Sequence, residues 1–517
     1  MSLNLDAAVS QSLMQPDARA YWDNPADALQ QRPQLPDVEG PMPIDDTPPV
    51  AGEAVQISGS SSGTRLPSGE TPDGKEIVRG QLHQGEQATV TREQTIVEYS
   101  PWQQAVSNDQ VVFTTGEGDD NVQIDQRDDG TLDISVNGET YEVRLAQGQE
   151  LTLRTGAGND VIEATPNVTV NMVVDAGAGD DRIVTGSGDD RVDGGSGDDY
   201  IASAGGRNDL FGNSGNDEIH GGGHVDIIHG GDGDDVLHAG TGTNFVEGGA
   251  GNDVIHGAGG EDIISAGLGD DVVHLNGGSS HVYTGQGGDT VEGATGSDKV
   301  YAQVSDLINS LGADKPTVVN VEIDPDVGHS VEVTGSDAFR QRVEAEMDFF
   351  RASPNGQQML AEFDKAAEAK GNSVTIRELA NEHNGYAQTF SGDAEIVNGR
   401  PGAGGDVDIV YNPTFHMDAF PAPSVVLYHE MSHAYNGVNG TFQPGGYTGP
   451  GPDGPGPDGR PTTANAERQA VGLETTAEPF DFDGDPSTPP TTHNPIHLTE
   501  NGIRREMGLP DRPSYAL

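Results

Sequence analysis

Residues 423–437 read PSVVLYHEMSHAYNG, with two histidines four residues apart and a glutamate directly after the first. Four residues make about one helical turn, so on a helix His429 and His433 share a face and both imidazoles can reach one metal ion. Glu430 then lies where it can take a proton from a metal-bound water. This is the H-E-x-x-H pattern, and the ion it suits is zinc. Val425, Val426, Leu427 and Tyr428 precede it and argue for a buried helix. A catalytic zinc needs a third protein ligand and one open position. Asn436 and Asn439 occupy the glycine and histidine positions of the longer H-E-x-x-H-x-x-G-x-x-H pattern, so the third ligand must come from downstream. The run NAERQAVGLE at 465–474 reads as a second helix. Glu467 is the expected ligand, Glu474 the alternative, and His493 and His497 are further candidates. The chain has no cysteine, which leaves only histidine and carboxylate ligands.

The segment GTFQPGGYTGPGPDGPGPDGRPTT between the two helices cannot be a helix or strand interior and reads as a loop. As a flap over a cleft it would bring Tyr447 to a reacting oxyanion, with Tyr435 as a second candidate. The run DVDIVYNP at 406–413 reads as a strand that could pair with an extended substrate.

A different chemistry occupies residues 155–302. GGSGDDYIA, GGDGDDVLH, GGAGNDVIH and AGLGDDVVH show a nine-residue unit of the form G-G-x-G-x-D-x-U-x, with U aliphatic. This is the calcium-binding nonapeptide of RTX proteins, which form a parallel β-roll. Two units make one turn, so equivalent residues should stack every eighteen positions. The acidic position falls at Asp181, Asp190, Asp199, Asp217, Asp226, Asp235, Asp253, Asp262, Asp271, Asp289 and Asp298. These carboxylates and the glycine-rich carbonyls supply the oxygen ligands that Ca²⁺ prefers. The aliphatic position runs from Ile183 through Val192, Ile201, Ile219, Ile228, Leu237, Val246, Ile255, Ile264, Val273 and Val282 to Val291. Arg207 and His224 replace a glycine, Asn244 and Ser280 replace the aspartate, and the step from Asp199 to Asp217 looks irregular near Asp209. Calcium is expected to be weak or absent there. His220, His238, His256 and His274 stand eighteen apart and should form a ladder on one outward face.

The chain has 517 residues and a formal net charge of −58, with Lys+Arg 26 against Asp+Glu 84. Nucleic acid and anionic membranes need a basic footprint and are excluded as partners. So much negative charge resists compaction unless cations neutralise it, and folding of the roll on calcium binding is the expected consequence. No stretch is long and apolar enough to span a membrane, and the N-terminus is not a classical signal peptide.

These readings divide the chain into four. Residues 1–110 are a disordered leader that could carry an export signal. Residues 111–154 are a β-rich cap, with turns at DDGT and NGET. Residues 155–302 are the roll. Residues 303–517 are an α+β, zincin-like metallopeptidase domain. In it Leu307, Ile308 and Leu311 space as one helix, Phe339, Val343, Met347 and Phe350 as a second, and Met359, Leu360 and Phe363 as a third, with SPNG as the break. VTIREL and EIVN read as short strands.

The segments YHEMSHAYN, ERQAVGLE and the ending LTENGIRREMGLPDRPSY resemble the effector zinc metallopeptidases of the NleD and XopG type, and RASPNGQQMLAEFDKA and DVDIVYNP fit the same picture, over about 335–517. The resemblance implies zinc-dependent cleavage of a host protein after delivery by a bacterium, with MAP kinases as targets in one branch. It implies His429 and His433 as ligands, Glu430 as the catalytic residue and Glu467 as third ligand. Glu500, Asn501, Arg504 and Arg505 match the family-like tail and read as structural. The expected whole is a secreted, monomeric toxin or effector endopeptidase that binds Zn²⁺ and Ca²⁺ and acts on a protein, outside the cell or inside a host. The competing expectation is a calcium-dependent surface protein whose peptidase domain is inactive or processes only itself.

Overall fold

The computed structural model describes residues 54–515 apart from 72–73, 101–102, 380–384, 390–393, 415–421, 457–458 and 483–486. The expected disorder of residues 1–53 lies outside the described residues.

The nonapeptides build a two-sheet solenoid of parallel strands. One sheet stacks Ile201, Ile219, Leu237, Ile255, Val273 and Val291 in register. The other stacks Val192, Leu210, Ile228, Val246, Ile264, Val282 and Val300. All thirteen side chains are fully buried between the sheets. The connecting turns need left-handed backbone. At Gly231, with φ +123°, an added Cβ would fall 2.0 Å from the carbonyl oxygen of Asn213 on the preceding turn. The expected irregularity near Asp209 is not a break. Leu210 takes the aliphatic position, and Asn208, not Asp209, takes the acidic one.

Three expectations are corrected. The leader assigned to 1–110 does not stay disordered over its described part. Strands Glu76–Gln84, Thr89–Ser100 and Gln103–Thr114 form an antiparallel unit, and Val55–Ser58 pairs in parallel with Glu139–Arg144. The cap therefore begins near residue 54. Its strands lack an alternating apolar signal because buried positions are polar: Thr91, Glu93 and Thr95 are buried on the face opposite Val90, and Glu93 pairs with Arg79 and Arg154. The helix expected at Leu307, Ile308 and Leu311 is a strand, Leu307–Ser310, added in parallel to Thr290–Ala294. The open edge of the roll offers backbone partners that a helix here would forgo. A further strand, Thr317–Asn320, pairs with Lys299–Ala302, so the roll ends near 320, not 302.

The C-terminal domain holds helices α1 (Asp337–Ala352), α2 (Pro354–Lys370), α3 (Pro423–Asn439), α4 (Asn465–Val471) and α5 (Glu500–Glu506). Ser353 ends α1 and caps α2, and Pro354 opens α2, as SPNG foretells. A four-stranded sheet runs Val331–Thr334, Val374–Glu378, Val407–Tyr411, Gly385–Thr389. The strand expected to receive an extended substrate, Val407–Tyr411, is internal, and both its ladders are occupied. The edges are Val331–Thr334 and Gly385–Thr389.

The two units share a core. Ile227, Phe245, Ile263, Tyr283 and Tyr301 point outward from the roll and pack with Phe349, Phe350, Met347 and Val343 of α1. Tyr283 meets Phe349 edge-on at 4.7 Å, and the Tyr301 hydroxyl donates to the Glu506 carbonyl at 2.8 Å. The Arg342 guanidinium lies 3.3 Å over the Phe211 ring and donates to Asp193 at 3.0 Å. A buried acid sits in the same contact. Burial, and after it Asp348, pushes the Glu247 carboxyl up to about 8. His229, whose Nδ1 is 2.8 Å from Glu247, is pushed down to about 3 by burial.

Phe245→Ala should cost about 3–5 kcal/mol, as core truncations of this size do, and should lower the melting of roll and C-terminal domain together by calorimetry. Glu247 holds its proton when docked but ionises near its ordinary 4.5 when released. Its contribution is therefore complete below 4.5 and is lost as pH rises through about 8. Glu247→Gln should flatten that loss in a series of calcium-saturated thermal melts across the same range.

Candidate metal centre

Helix α3 is buried along nearly its whole length, as its apolar flank requires. Its outer turns are fixed from three sides. Tyr428 donates to the carbonyls of Asn355 and His497, Ser432 donates to Leu498, and Gln469 of α4 reaches Asn436 at 2.9 Å. Gly472, with φ +89°, ends α4.

These supports bring three donors together. His429 Nε2 and His433 Nε2 are 3.2 Å apart, His433 Nε2 is 3.1 Å from Glu467 Oε2, and His429 Nε2 is 3.6 Å from the same oxygen. Glu430, on the same turn, is buried. Burial opposes a charge on His429, but hydrogen bonds to Glu467 and Glu500 outweigh it and push the imidazole up to about 10. The two imidazoles hold the Glu467 carboxyl well below the usual range despite its burial. The cluster thus stabilises positive charge among its own atoms. A divalent cation would satisfy the same need.

The other sequence candidates lie elsewhere. Glu474 is exposed and accepts from Thr492, with His493 3.8 Å away. His497 offers its carbonyl to Tyr428. The Tyr447 hydroxyl donates to Pro450 at 3.3 Å, and Arg468 covers its ring. Tyr435 donates to Phe482.

Two residues of the site were not anticipated in their roles. Glu500, fully buried at the start of α5, accepts from His429 Nδ1 at 2.9 Å. Arg504 and Arg512 hold the same carboxylate at 2.8 and 3.0 Å. Burial would raise Glu500, but His429 and Arg512 bring it down to about 2. Arg504, four residues on, is the signal that could have marked Glu500 as a paired, buried acid. Tyr515 lies beside His429, ring centroids 6.2 Å apart, and hydrogen-bonds toward Glu467. Nothing near Tyr515 in the sequence shows this.

The roll carries a second kind of site. Asp181, Asp199, Asp217, Asp235, Asp253, Asp271 and Asp289 form one column, each Oδ1 accepting a backbone N–H from the turn before. Their Oδ2 atoms are buried without a hydrogen-bond partner. A Cβ at Gly212 or Gly230 would fall 2.1 or 2.2 Å from Oδ2 of Asp217 or Asp235, so glycine makes the space for these oxygens. Burial pushes Asp199, Asp235 and Asp271 up to about 8. The opposite column alternates Asp190, Asn208, Asp226, Asn244 and Asp262, ending at Ser280 and Asp298.

Residues 328–515 match the model of the peptidase M91 family, described as an effector protein. Residues 175–210, 203–237, 238–273 and 274–304 match four copies of the RTX calcium-binding nonapeptide repeat. Residues 328–515 are an M91 effector peptidase domain set behind RTX repeats. No curated protein and no solved structure matches it. The M91 match makes the C-terminal domain a peptidase, with a protein as its substrate, and the RTX match makes the roll calcium-binding. Among the described residues, no helix is long and apolar enough to cross a membrane.

Glu500→Gln should weaken divalent-metal binding at His429 and His433 by about 10–100-fold, as loss of a ligand's supporting carboxylate does. Glu474→Ala should leave it unchanged. Competition with a chromogenic chelator measures both.

Proposed function

We propose that the protein is a secreted zinc endopeptidase that cleaves a host protein. The observation that carries this is the donor triangle of His429, His433 and Glu467 beside Glu430. Its sides of 3.1–3.6 Å suit three ligands of one tetrahedral ion with bonds of about 2.0–2.1 Å. Two imidazoles and one carboxylate are a donor set for zinc, not for calcium. Zinc, when bound, supplies Lewis acidity to the scissile carbonyl and the attacking water.

The chain's own residues do the rest. Glu430 takes the proton of the attacking water and returns it to the leaving amine. Glu500 holds the tautomer and the aim of His429 through Nδ1. Tyr515, rather than Tyr447 or Tyr435, is the tyrosine at the triangle, and we assign it the contact to the substrate carbonyl. Edge strand Gly385–Thr389 can hydrogen-bond an extended chain. The substrate is a host signalling protein, and a MAP kinase is the class that the NleD and XopG resemblance suggests.

The roll's role follows from its aspartates. We assign Ca²⁺ to Asp181, Asp190, Asp199, Asp217, Asp226, Asp235, Asp253, Asp262, Asp271 and Asp289, supported by their buried, unpartnered oxygens. Inside the producing cell calcium is scarce and the roll stays open and exportable. Near millimolar calcium outside orders it, and the ordered roll then presents the face on which the peptidase core packs.

Glu430→Gln in the full chain, with calcium and zinc present, should lower cleavage of a peptide library by roughly 10²–10⁴-fold at unchanged zinc content. Equal cleavage by the variant would sink the peptidase mechanism. Calcium chelation should abolish the β-sheet circular dichroism and the cleavage together. A spectrum that ignores calcium would sink the role assigned to the roll.

A further inference from the structure

The ladder of histidines on the roll belongs to neither of these sites. Eighteen residues make one turn, so His220, His238, His256 and His274 occupy one row, each directly opposite the next. Strand spacing sets their separation. The rings stack with centroids 4.4, 4.6 and 4.8 Å apart and planes within 16° of parallel. The row is half-exposed on the outer face of its sheet. Val236, Val254 and Val272, two residues earlier on the same face, flank it with apolar side chains that offer the imidazoles no hydrogen bond.

Stacking alone would be served by any flat side chain. The ends of the row show something more selective. Glu218 comes from the same strand as His220, on the same face, with its carboxylate 2.8 Å from His220 Nε2. At the far end Glu292 succeeds His274 in the row and lies 3.2 Å from its Nδ1. A carboxylate thus closes each end of a run of imidazoles. One ligand atom from each of Glu218, His220 and His238 falls within 4.8 Å of the others. Turning the two imidazoles out of their stack would bring three such donors onto one ion.

We propose that Glu218, His220 and His238 form a transition-metal site on the roll, separate from the peptidase centre and from the calcium positions. Its chemistry selects the ion. Imidazole suits Zn²⁺, Ni²⁺ and Cu²⁺, whereas Ca²⁺ takes oxygen ligands alone. The strongly acidic roll raises the local concentration of any cation. The bound ion ties strand Glu218–His220 to strand Val236–His238 and so staples two successive turns from outside.

The test uses the full chain, saturated with calcium and carrying His429→Ala and His433→Ala to silence the peptidase centre. Titrated with Ni²⁺, it should bind about one ion, and the further changes His220→Gln and His238→Gln should remove that ion. Glutamine keeps a flat stacked ladder, so calcium-dependent circular dichroism should persist in the variant. No Ni²⁺ bound before the glutamine changes, or the same amount after them, would overturn the site. Should the variant not fold, Cu²⁺ bound to the intact ladder decides: imidazole-nitrogen couplings in its electron paramagnetic resonance spectrum support the site, and oxygen coordination alone rejects it.

Discussion

A column of buried aspartates dominates this molecule. Asp181 through Asp289 place one carboxylate on every turn, with one oxygen engaged by backbone and the other turned into a space lined by glycine. Burying an ionised carboxylate without a partner is among the costliest acts in folding. Each aspartate must therefore hold a proton or face a cation, and the high carboxyl pKa values along the column express that demand. The aliphatic ladder between the sheets is thin, one buried side chain per strand beside each carboxylate. A bound cation therefore relieves a cost in this roll that a larger apolar core without buried carboxylates would not carry.

The peptidase domain packs on this roll. Its helix α1 rests on roll side chains, with Phe349 against Phe245 and Tyr283, and Arg342 sandwiched by Phe211 and Asp193. Helix α1 in turn packs on α2, which with α3 lies in the same apolar cluster. The position of His429 and His433 therefore depends on contacts that begin in the repeats. Tyr301 and Glu506 link the last turns of the roll to α5, the helix that presents Glu500 to His429. Two regions that look independent in composition share one core.

Much of this was legible in the chain. The nine-residue period is a local regularity, and it names the inward aliphatic and the acidic position at each turn. The four-residue spacing of His429 and His433 needs only the helix pitch. Glu467 was reachable because the second helix carries few acids. Elsewhere the local signal misled. Leu307, Ile308 and Leu311 space as a helix, yet the open edge of the roll recruits them as a strand. Thr91, Glu93 and Thr95 look solvated in sequence, yet the cap buries all three, Glu93 against Arg79 and Arg154. The step from Asp199 to Asp217 looked irregular near Asp209, while register gives the acidic place there to Asn208 and keeps the turn regular.

Sequence by itself determined the roll, its acidic and apolar columns, and the helix that pairs two histidines, because each is set by a short period of the backbone. Only the tertiary structure decided the rest. Glu500 and Tyr515 meet His429 from 71 and 86 positions away, and no period relates them. The shared core likewise joins Phe245 and Tyr283 of the roll to Phe349, 104 and 66 positions downstream. Such contacts depend on how whole elements pack, and packing is fixed by three-dimensional shape, not by spacing along the chain.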